Sequence, residues 1–359
     1  MDALILFEDE FSPMVAGVTV LDRLVVALHR GGCRRITIRG RRWSPALRRS
    51  EALGVRCQWV TEMPALSGPT LVCRGDLLVT APDVRRLADA GGRLRGEGAV
   101  LDMAVLESEA IQNGKVDFGG TDSVKAEGLA RRVGSPAEAV AAERALWASQ
   151  RSSCDGTVDR FFNRPVGRPL ARLLAYTAVT PNQVSVLATL VGLLGAVGFA
   201  AGGYWAVLAG AVVFQISAII DCIDGDLARI AFKESPLGRW LDLLGDNVVH
   251  VAVFVGLGVG LWRTGVSGPV GPLTVSAVIG VVLSLLVVLR AGAMPVSLAK
   301  TRLQSLIDRM TNRDFSVLLL VLALLDRVEW FVWMLGIGVH CFWLLALGLQ
   351  FTSGKDSRT

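Results

Sequence analysis

Charge is scarce in this chain. Only 19% of its 359 residues are Asp, Glu, Lys or Arg, against about 25% in an average soluble domain. Apolar residues make up 52% and the mean hydropathy is +0.49. That excludes a disordered chain and a collagen, and it is too apolar for an ordinary soluble enzyme. Histidine is rarer still, with His29, His250 and His340 the whole complement. Six cysteines, Cys33, Cys57, Cys73, Cys154, Cys222 and Cys341, are too few and too scattered for a disulfide scaffold. No two form a CxxC or CxxH pair, which argues against a zinc site or redox pair and for small hydrophobes in a reducing compartment. The net charge of +5 comes without a long Lys/Arg block, so nucleic acid is not an expected partner. The opening MDALILFEDEF has no basic stretch and carries acids, unlike a signal peptide.

Long hydrophobic runs are missing from the first half and dominate the second. Residues 1–150 hold 20 Lys+Arg and 19 Asp+Glu and alternate short apolar runs with helical stretches. Ala3–Phe7, Arg35–Arg39 and Leu71–Cys73 read as strands. Val20–Arg30 reads as a helix stopped by Gly31-Gly32, and Pro82–Ala90 and Ala137–Gln150 as further helices. Strands alternating with helices predict an α/β domain with a mainly parallel sheet. Residues 93–135 carry no readable strand pattern.

From Val184 the apolar runs are Val184–Ala201, Tyr204–Ile220, Trp240–Trp262, Leu273–Leu289, Phe315–Leu325 and Trp330–Phe351. A bilayer needs about 20 residues per helix, so the expectation is an all-α membrane domain of six spans over 184–352. The fifth is short unless it continues past Asp326, Arg327 and Glu329. Counting basic residues gives fifteen on the side of the N-terminal half, including Arg229, Lys233, Arg239 and a cluster from Arg290 to Arg313, against Arg263 and Arg327 opposite. The positive-inside rule then predicts an integral membrane protein with both termini cytoplasmic. Between the halves, over 151–183, Val158–Ala175 interleaves Arg with Phe and Leu and reads as an amphipathic helix at the cytoplasmic interface.

Acids at the ends of membrane spans are costly and default to a functional reading. Asp221 and Asp224 are three apart, Asp242 and Asp246 four apart, so each pair shares a helix face. Two successive spans form a hairpin, and the four carboxylates converge near its cytoplasmic end. Such a cluster must be partly protonated or filled by cations. Its hard oxygen ligands favour Mg²⁺, Mn²⁺ or Ca²⁺ over zinc. A solvated loop paired with Arg229, Lys233 and Arg239 is the plainer alternative.

The stretch Asp221–Asp246, DCIDGDLARIAFKESPLGRWLDLLGD, carries D-x2-D-G-x2-A-R-x8-G-x3-D-x3-D at Asp221, Asp224, Gly225, Ala228, Arg229, Gly238, Asp242 and Asp246. It resembles the signature of the CDP-alcohol phosphotransferase family, and the resemblance covers roughly residues 155–351. It implies transfer of a phosphoryl-alcohol from a CDP-linked donor to the hydroxyl of an acceptor that can itself be phosphorylated, with release of CMP. It further implies Mg²⁺ or Mn²⁺, two ions, held by Asp221, Asp224 and Asp242. Asp246 is the general base and can also touch metal. Gly225 lets the nucleotide approach, Arg229 pairs with phosphate, and Gly238 gives room at the next helix start, within a cofactor-binding set that includes Ala228. A homodimer and contact with membrane lipid are implied as well. Asp226, outside the signature, is expected to be solvated. His250, one turn beyond Asp246, reads as a packing residue.

The first half resembles, more faintly, the sugar-nucleotide-type nucleotidyltransferases found fused to such membrane domains. The resemblance rests on Pro13–Ile38 and on Leu71–Leu77, which places Asp76 where those enzymes hold metal. The Gly-rich phosphate loop after the first strand is missing; Phe7–Ser12 is acidic instead and would repel a triphosphate. The expectation is a degenerate domain, structural or ligand-sensing. Two other readings of the chain stand beside the enzyme. A divalent-cation transporter would place the acids near the bilayer midplane on broken helices. A membrane anchor for a soluble module leaves the eight-residue pattern unexplained.

Overall fold

The structure, a computed structural model, describes residues 1–8, 12–40, 46–66, 68–112, 115–119, 122–150, 156–293 and 315–356. The chain divides into two compact units, Met1–Gln150 and Arg151–Thr359.

The N-terminal unit is built on a seven-stranded mixed sheet. Its strands are β1 (Asp2–Phe7), β2 (Ile36–Gly40), β3 (Cys57–Val60), β4 (Thr70–Arg74), β5 (Arg93–Arg95), β6 (Val100–Leu106) and β7 (Ser123–Lys125). They lie in the order β7-β5-β6-β4-β1-β2-β3. β1 pairs in parallel with β2 and β4, β2 with β3, and β5 with β7. Only β6 runs antiparallel to its neighbours β4 and β5. Central position explains why β1 is a nearly continuous apolar run: a strand covered on both faces has no polar side to show. Ala3, Leu4, Ile5 and Phe7 are all buried.

Helices α1 (Val20–Arg30), α2 (Arg48–Ala52), α3 (Ala81–Ala90) and α4 (Pro136–Ser149) accompany the sheet. The Thr19 hydroxyl caps α1 by accepting from the Asp22 N–H at 3.3 Å. α4 begins with a full capping box between Ser135 and Glu138, which satisfies two of the orphan amides at the helix start. Two polar residues of α1, Asp22 and Arg23, are buried as well. Asp22 accepts from the amides of Arg49 at 2.7 Å and Ser50 at 2.8 Å, tying α2 to α1.

The C-terminal unit is helical. A π-helical turn, Asp159–Asn163, leads into α5 (Arg164–Ala175). Then follow α6 (Pro181–Ala201), α7 (Tyr204–Ile230), α8 (Pro236–Arg263), α9 (Val270–Ala293), α10 (Phe315–Leu324) and α11 (Val328–Asp356). Five of these, α6 to α9 and α11, are long and apolar enough to cross a membrane. α10 is described over ten residues. The continuation past Asp326 that would lengthen it does not occur. The chain leaves the helix after Leu324, Asp326 takes a left-handed φ of 54°, and a new helix starts at Val328. The adjacent charges of Asp326 and Arg327 are cheaper at a solvated reversal than inside an apolar helix.

α6 packs on α7 and α8 through small residues. A Cβ on Gly195 would stand 3.0 Å from the Gly210 carbonyl oxygen, so glycine there lets two backbones approach directly. That is the packing helices use in lipid, where no hydrophobic drive brings them together. Phe199, Phe214, Val253, Leu257 and Phe331 fill the core around this contact.

Candidate active site

The site forms where α7 ends and α8 begins. The two helices have 27 and 28 residues, more than the roughly 20 a bilayer requires. Their surplus turns carry the acids. Between them Phe232 takes a left-handed φ of 52°, and Ser235 caps α8 by accepting from the Gly238 N–H at 2.9 Å, with Pro236 at the first helical position. A connection this short sets the two helix ends side by side.

Asp221 from α7 and Asp242 and Asp246 from α8 converge there. Carboxylate oxygens from the three lie within 4.8 Å of one another. Asp224, a turn further along α7, is not in that group. It is buried, and its Oδ2 accepts a hydrogen bond from the Ser185 hydroxyl of α6. A cleft of about 490 Å³ opens beside the cluster, lined among others by Asp224, Gly225, Ala228, Arg229, Gly238 and Asp242. Asn182, Ser185, Lys233 and Arg239 also face it. The donor set of three hard carboxylate oxygens, partly open to solvent, fits a divalent cation of the Mg²⁺ or Mn²⁺ kind.

The first turns of α6 form the opposite wall. Thr180 and Gln183 cap that helix reciprocally, with Thr180 N donating to Gln183 Oε1 at 2.9 Å and Gln183 N to Thr180 Oγ1 at 3.3 Å. The Lys233 ammonium donates to the Val179 carbonyl at 2.9 Å, holding the α7–α8 connection to the start of α6. Gly238 has a steric reason of its own: a Cβ there would come within 2.6 Å of Asn182 Oδ1. The Thr-Pro-Asn before the first span thus serves as a cap and as a wall of the cleft.

Asp226 is the clear departure from expectation. It is not solvated but 2% exposed. Its Oδ1 accepts from Arg229 Nη2 at 3.0 Å and from Arg164 Nη1 of α5. Arg164, expected to lie among the basic residues of an interfacial helix, is buried. The exposed side of that segment carries Phe161, Phe162, Leu170 and Leu173 together with Arg160 and Arg172. Nothing in the sequence spacing singles out the Arg164–Asp226 pair, 62 residues apart. Gln215 is also drawn into this junction, donating to Asn163 Oδ1 at 2.6 Å. Ser217 donates to the Ala188 carbonyl at 2.7 Å. His250 packs as a ring, stacked on Phe254 and edge-on to Phe315. Of the basic cluster Arg290–Arg313, the stretch from 294 lies outside the described residues.

In the N-terminal unit, Asp76 follows β4 and is 5% exposed. Arg132 Nε donates to its Oδ2 at 2.5 Å, and Arg74 Nε stands 3.6 Å from its Oδ1. The hydrogen bond raises the Arg132 guanidinium above its ordinary pKa. The segment after β1 is a tight hairpin, Met14–Val15 against Val18–Thr19. Its turn is made by Ala16 and Gly17, with φ of 47° and 73°. Arg23 Nε holds it from below through the Val15 carbonyl at 2.9 Å, and Glu143 accepts from the Ala16 N–H at 3.1 Å. Of the acidic stretch Phe7–Ser12, residues 9–11 lie outside the described residues.

Residues 178–344 match the CDP-alcohol phosphatidyltransferase family. The helical unit carries a CDP-alcohol phosphatidyltransferase domain. The chain is 36% identical over 118 residues to the bifunctional IPC transferase and DIPP synthase of Thermococcus kodakarensis, which is 33% of this chain and 26% of that protein. It is 33% identical over 98 residues to the archaetidylinositol phosphate synthase of Pyrococcus horikoshii, 26% of this chain and 50% of that protein. The chain therefore spans half or less of the length of these relatives. Among solved structures it resembles the phosphatidylinositol phosphate synthase of Mycobacterium tuberculosis with CDP-DAG bound. The identity is 21% and the TM-score 0.38, over 52% of this chain and 93% of the other. The CDP-alcohol phosphatidyltransferase domain thus contains the whole signature stretch, the carboxylate cluster and the cleft beside it.

Proposed function

We propose that this protein transfers a phosphoryl-alcohol group from a CDP-linked alcohol to an acceptor hydroxyl and releases CMP. The observation that carries the reading is the three-carboxylate cluster opening into a cleft lined by Arg229, Lys233 and Arg239. A site that combines carboxylates able to hold cations with cationic side chains lining the same cleft suits a pyrophosphate, whose negative charge needs both.

On this reading Asp221, Asp224 and Asp242 hold divalent metal, with Asp224 kept in place by the Ser185 hydroxyl, and Asp246, grouped with Asp221 and Asp242, is chiefly the base. Two Mg²⁺ or Mn²⁺ ions, when bound, supply charge neutralisation for both phosphates of the donor and for the departing CMP. Arg229 pairs with a phosphate oxygen. The glycine at 225 and the small Ala228 leave room beside it for the nucleotide, and Gly238 lets Asn182 close the far wall. The acceptor oxygen attacks the phosphorus that bears the alcohol, the pyrophosphate P–O bond breaks, and CMP leaves. Asp246 takes the acceptor's proton.

The cleft faces the cytoplasm on the positive-inside count, with α5 lying in the interface of the same leaflet. The names of relatives such as the archaetidylinositol phosphate synthase put inositol phosphates first among acceptors to test; CDP-diacylglycerol and CDP-inositol are the donors to try with them. The protein acts as a homodimer in contact with lipid. Residues 1–150 act as a structural or ligand-sensing domain. Arg132 engages the Asp76 carboxylate, and the acidic stretch Phe7–Ser12 after the first strand would repel a triphosphate. The transporter reading is disfavoured because α7 and α8 run unbroken through all four acids.

The test is release of CMP by the purified full chain in lipid, from a panel of CDP-alcohols with and without acceptors. Acceptor-dependent CMP release supports the reading. Failure to release CMP from any donor, alongside metal transport in vesicles, would overturn it.

A further inference from the structure

Asp226 sits between two arginines in a way the reaction outlined above does not require. Its neighbour Asp224 faces the cleft, whereas Asp226 faces away, into the junction of α5 and α7. Burying a carboxylate costs several kcal/mol unless its lone pairs are well satisfied. Here one oxygen, Oδ1, serves both Arg164 Nη1 and Arg229 Nη2. The two partners differ in exposure. The Arg164 side chain is 8% exposed and the Arg229 side chain 35%. Arg164 is thus a buried brace, and Arg229 is the member that reaches the cleft.

The position of Arg229 is fixed on a second side. A Cβ added at Gly225 would stand 3.3 Å from its Nη1 and 3.4 Å from its Nη2. The guanidinium therefore lies against the bare Cα face of Gly225. An unrestrained arginine gives up rotamer entropy when a ligand immobilises it. One already held by a carboxylate and laid on a glycine has lost most of that freedom before the ligand arrives. Two guanidiniums on one carboxylate also leave a net positive charge at the junction, so the brace does not cancel the attraction for phosphate.

We propose that Asp226 is a positioning residue for the transfer reaction: it holds the Arg229 guanidinium against Gly225 where it meets a donor phosphate, and Arg164 of α5 holds Asp226 in turn. The proposal rests on the phosphotransfer reading. It adds a residue outside the eight-residue signature and gives α5 a part in shaping the cleft.

A double-mutant cycle between Asp226→Asn and Arg229→Gln tests it in the full-length protein. Two readouts are used: kcat/KM for CMP release, and the affinity for CDP in Mg²⁺ by calorimetry. Residues in direct contact couple measurably, and those that act independently add. Asp226→Asn should cost about tenfold in both readouts in the wild-type background, and less than about twofold when Arg229 is already Gln. An equal loss in both backgrounds would overturn the proposal, since a merely structural role does not depend on Arg229. The paired variant Arg164→Gln/Asp226→Asn leaves no buried charge alone and guards against misfolding. It should keep the wild-type thermal midpoint and still lose about tenfold in CDP affinity, in the same coupling range; wild-type affinity in this variant would overturn the proposal. A chain that shows the cycle for CDP but transfers nothing would sink the transfer reading alone.

Discussion

The carboxylate cluster makes a quantitative demand on metal that a melting curve can read. Asp221, Asp242 and Asp246 present oxygens within 4.8 Å of one another. Two unit charges at that separation repel by about 3.5 kcal/mol at an effective dielectric of 20 and about 0.9 kcal/mol in bulk water. Asp242 is exposed and the other two are half-buried, so each of the three pairs falls between those limits. Replacing Asp242 by Asn removes two of the three repulsions and one ligand at once. The two effects separate by condition. In excess chelator no metal offsets the repulsion in the wild type, and Asp242→Asn relieves it. In Mg²⁺ at about 100 times its Kd, binding stabilises the wild type by about 2.7 kcal/mol. At about 2–4 °C per kcal/mol for a domain of 150–250 residues, that is a rise in Tm of roughly 5–11 °C. The assay is thermal unfolding in detergent, with chelator and with Mg²⁺, for both proteins. The metal-induced rise should be large in the wild type and less than half as large in Asp242→Asn. Equal rises in the two proteins, or no rise in the wild type, would refute the claim that these carboxylates form a cation site.

Three further outcomes follow from the same geometry. Asp246→Asn should slow transfer by about 10²–10⁴-fold, the usual cost of losing a general base, while sparing CDP binding. Asp224→Asn should weaken metal-dependent CDP binding as well; calorimetry on both variants decides, and equal loss of binding would make Asp246 chiefly a ligand. The full-length Asp246→Asn protein, incubated with CTP and a phosphorylated alcohol, should release no pyrophosphate, because no Gly-rich phosphate loop follows the first strand and Arg132 engages the Asp76 carboxylate; metal-dependent pyrophosphate release would show an active N-terminal domain. Thr180→Ala removes half of the capping box at the start of α6 and should lower stability by about 1 kcal/mol, read as a lower Tm, with a smaller loss if the α6 terminus is held by Lys233 alone.

What could be read from the sequence and what could not divide along a physical line. α1 was legible to the residue because its boundaries are local: the Thr19 cap, the apolar spacing and the Gly31 stop all lie within the segment. β1, β2 and β4 were legible because buried parallel strands are apolar runs. β5 and β7 were not, since three-residue strands with Arg93, Arg95, Ser123 and Lys125 have no period to detect and exist only through pairing. The break between the last two apolar runs was legible because Asp326, Arg327 and Glu329 interrupt them, though not that Asp326 takes a left-handed φ to reverse the chain there. The acids of α7 and α8 were legible as a group because helical spacing and a short connection between spans dictate their convergence, though not that Asp224 would stand apart on Ser185. Asp226 was illegible for the opposite reason. Its environment is made by Arg164, 62 residues earlier, on a helix whose average pattern says only that it is amphipathic. An average over a face assigns every arginine to water. Only the packing of α5 on α7 shows that one of them turns inward, and that the acid it meets is the one that orients the arginine in the cleft.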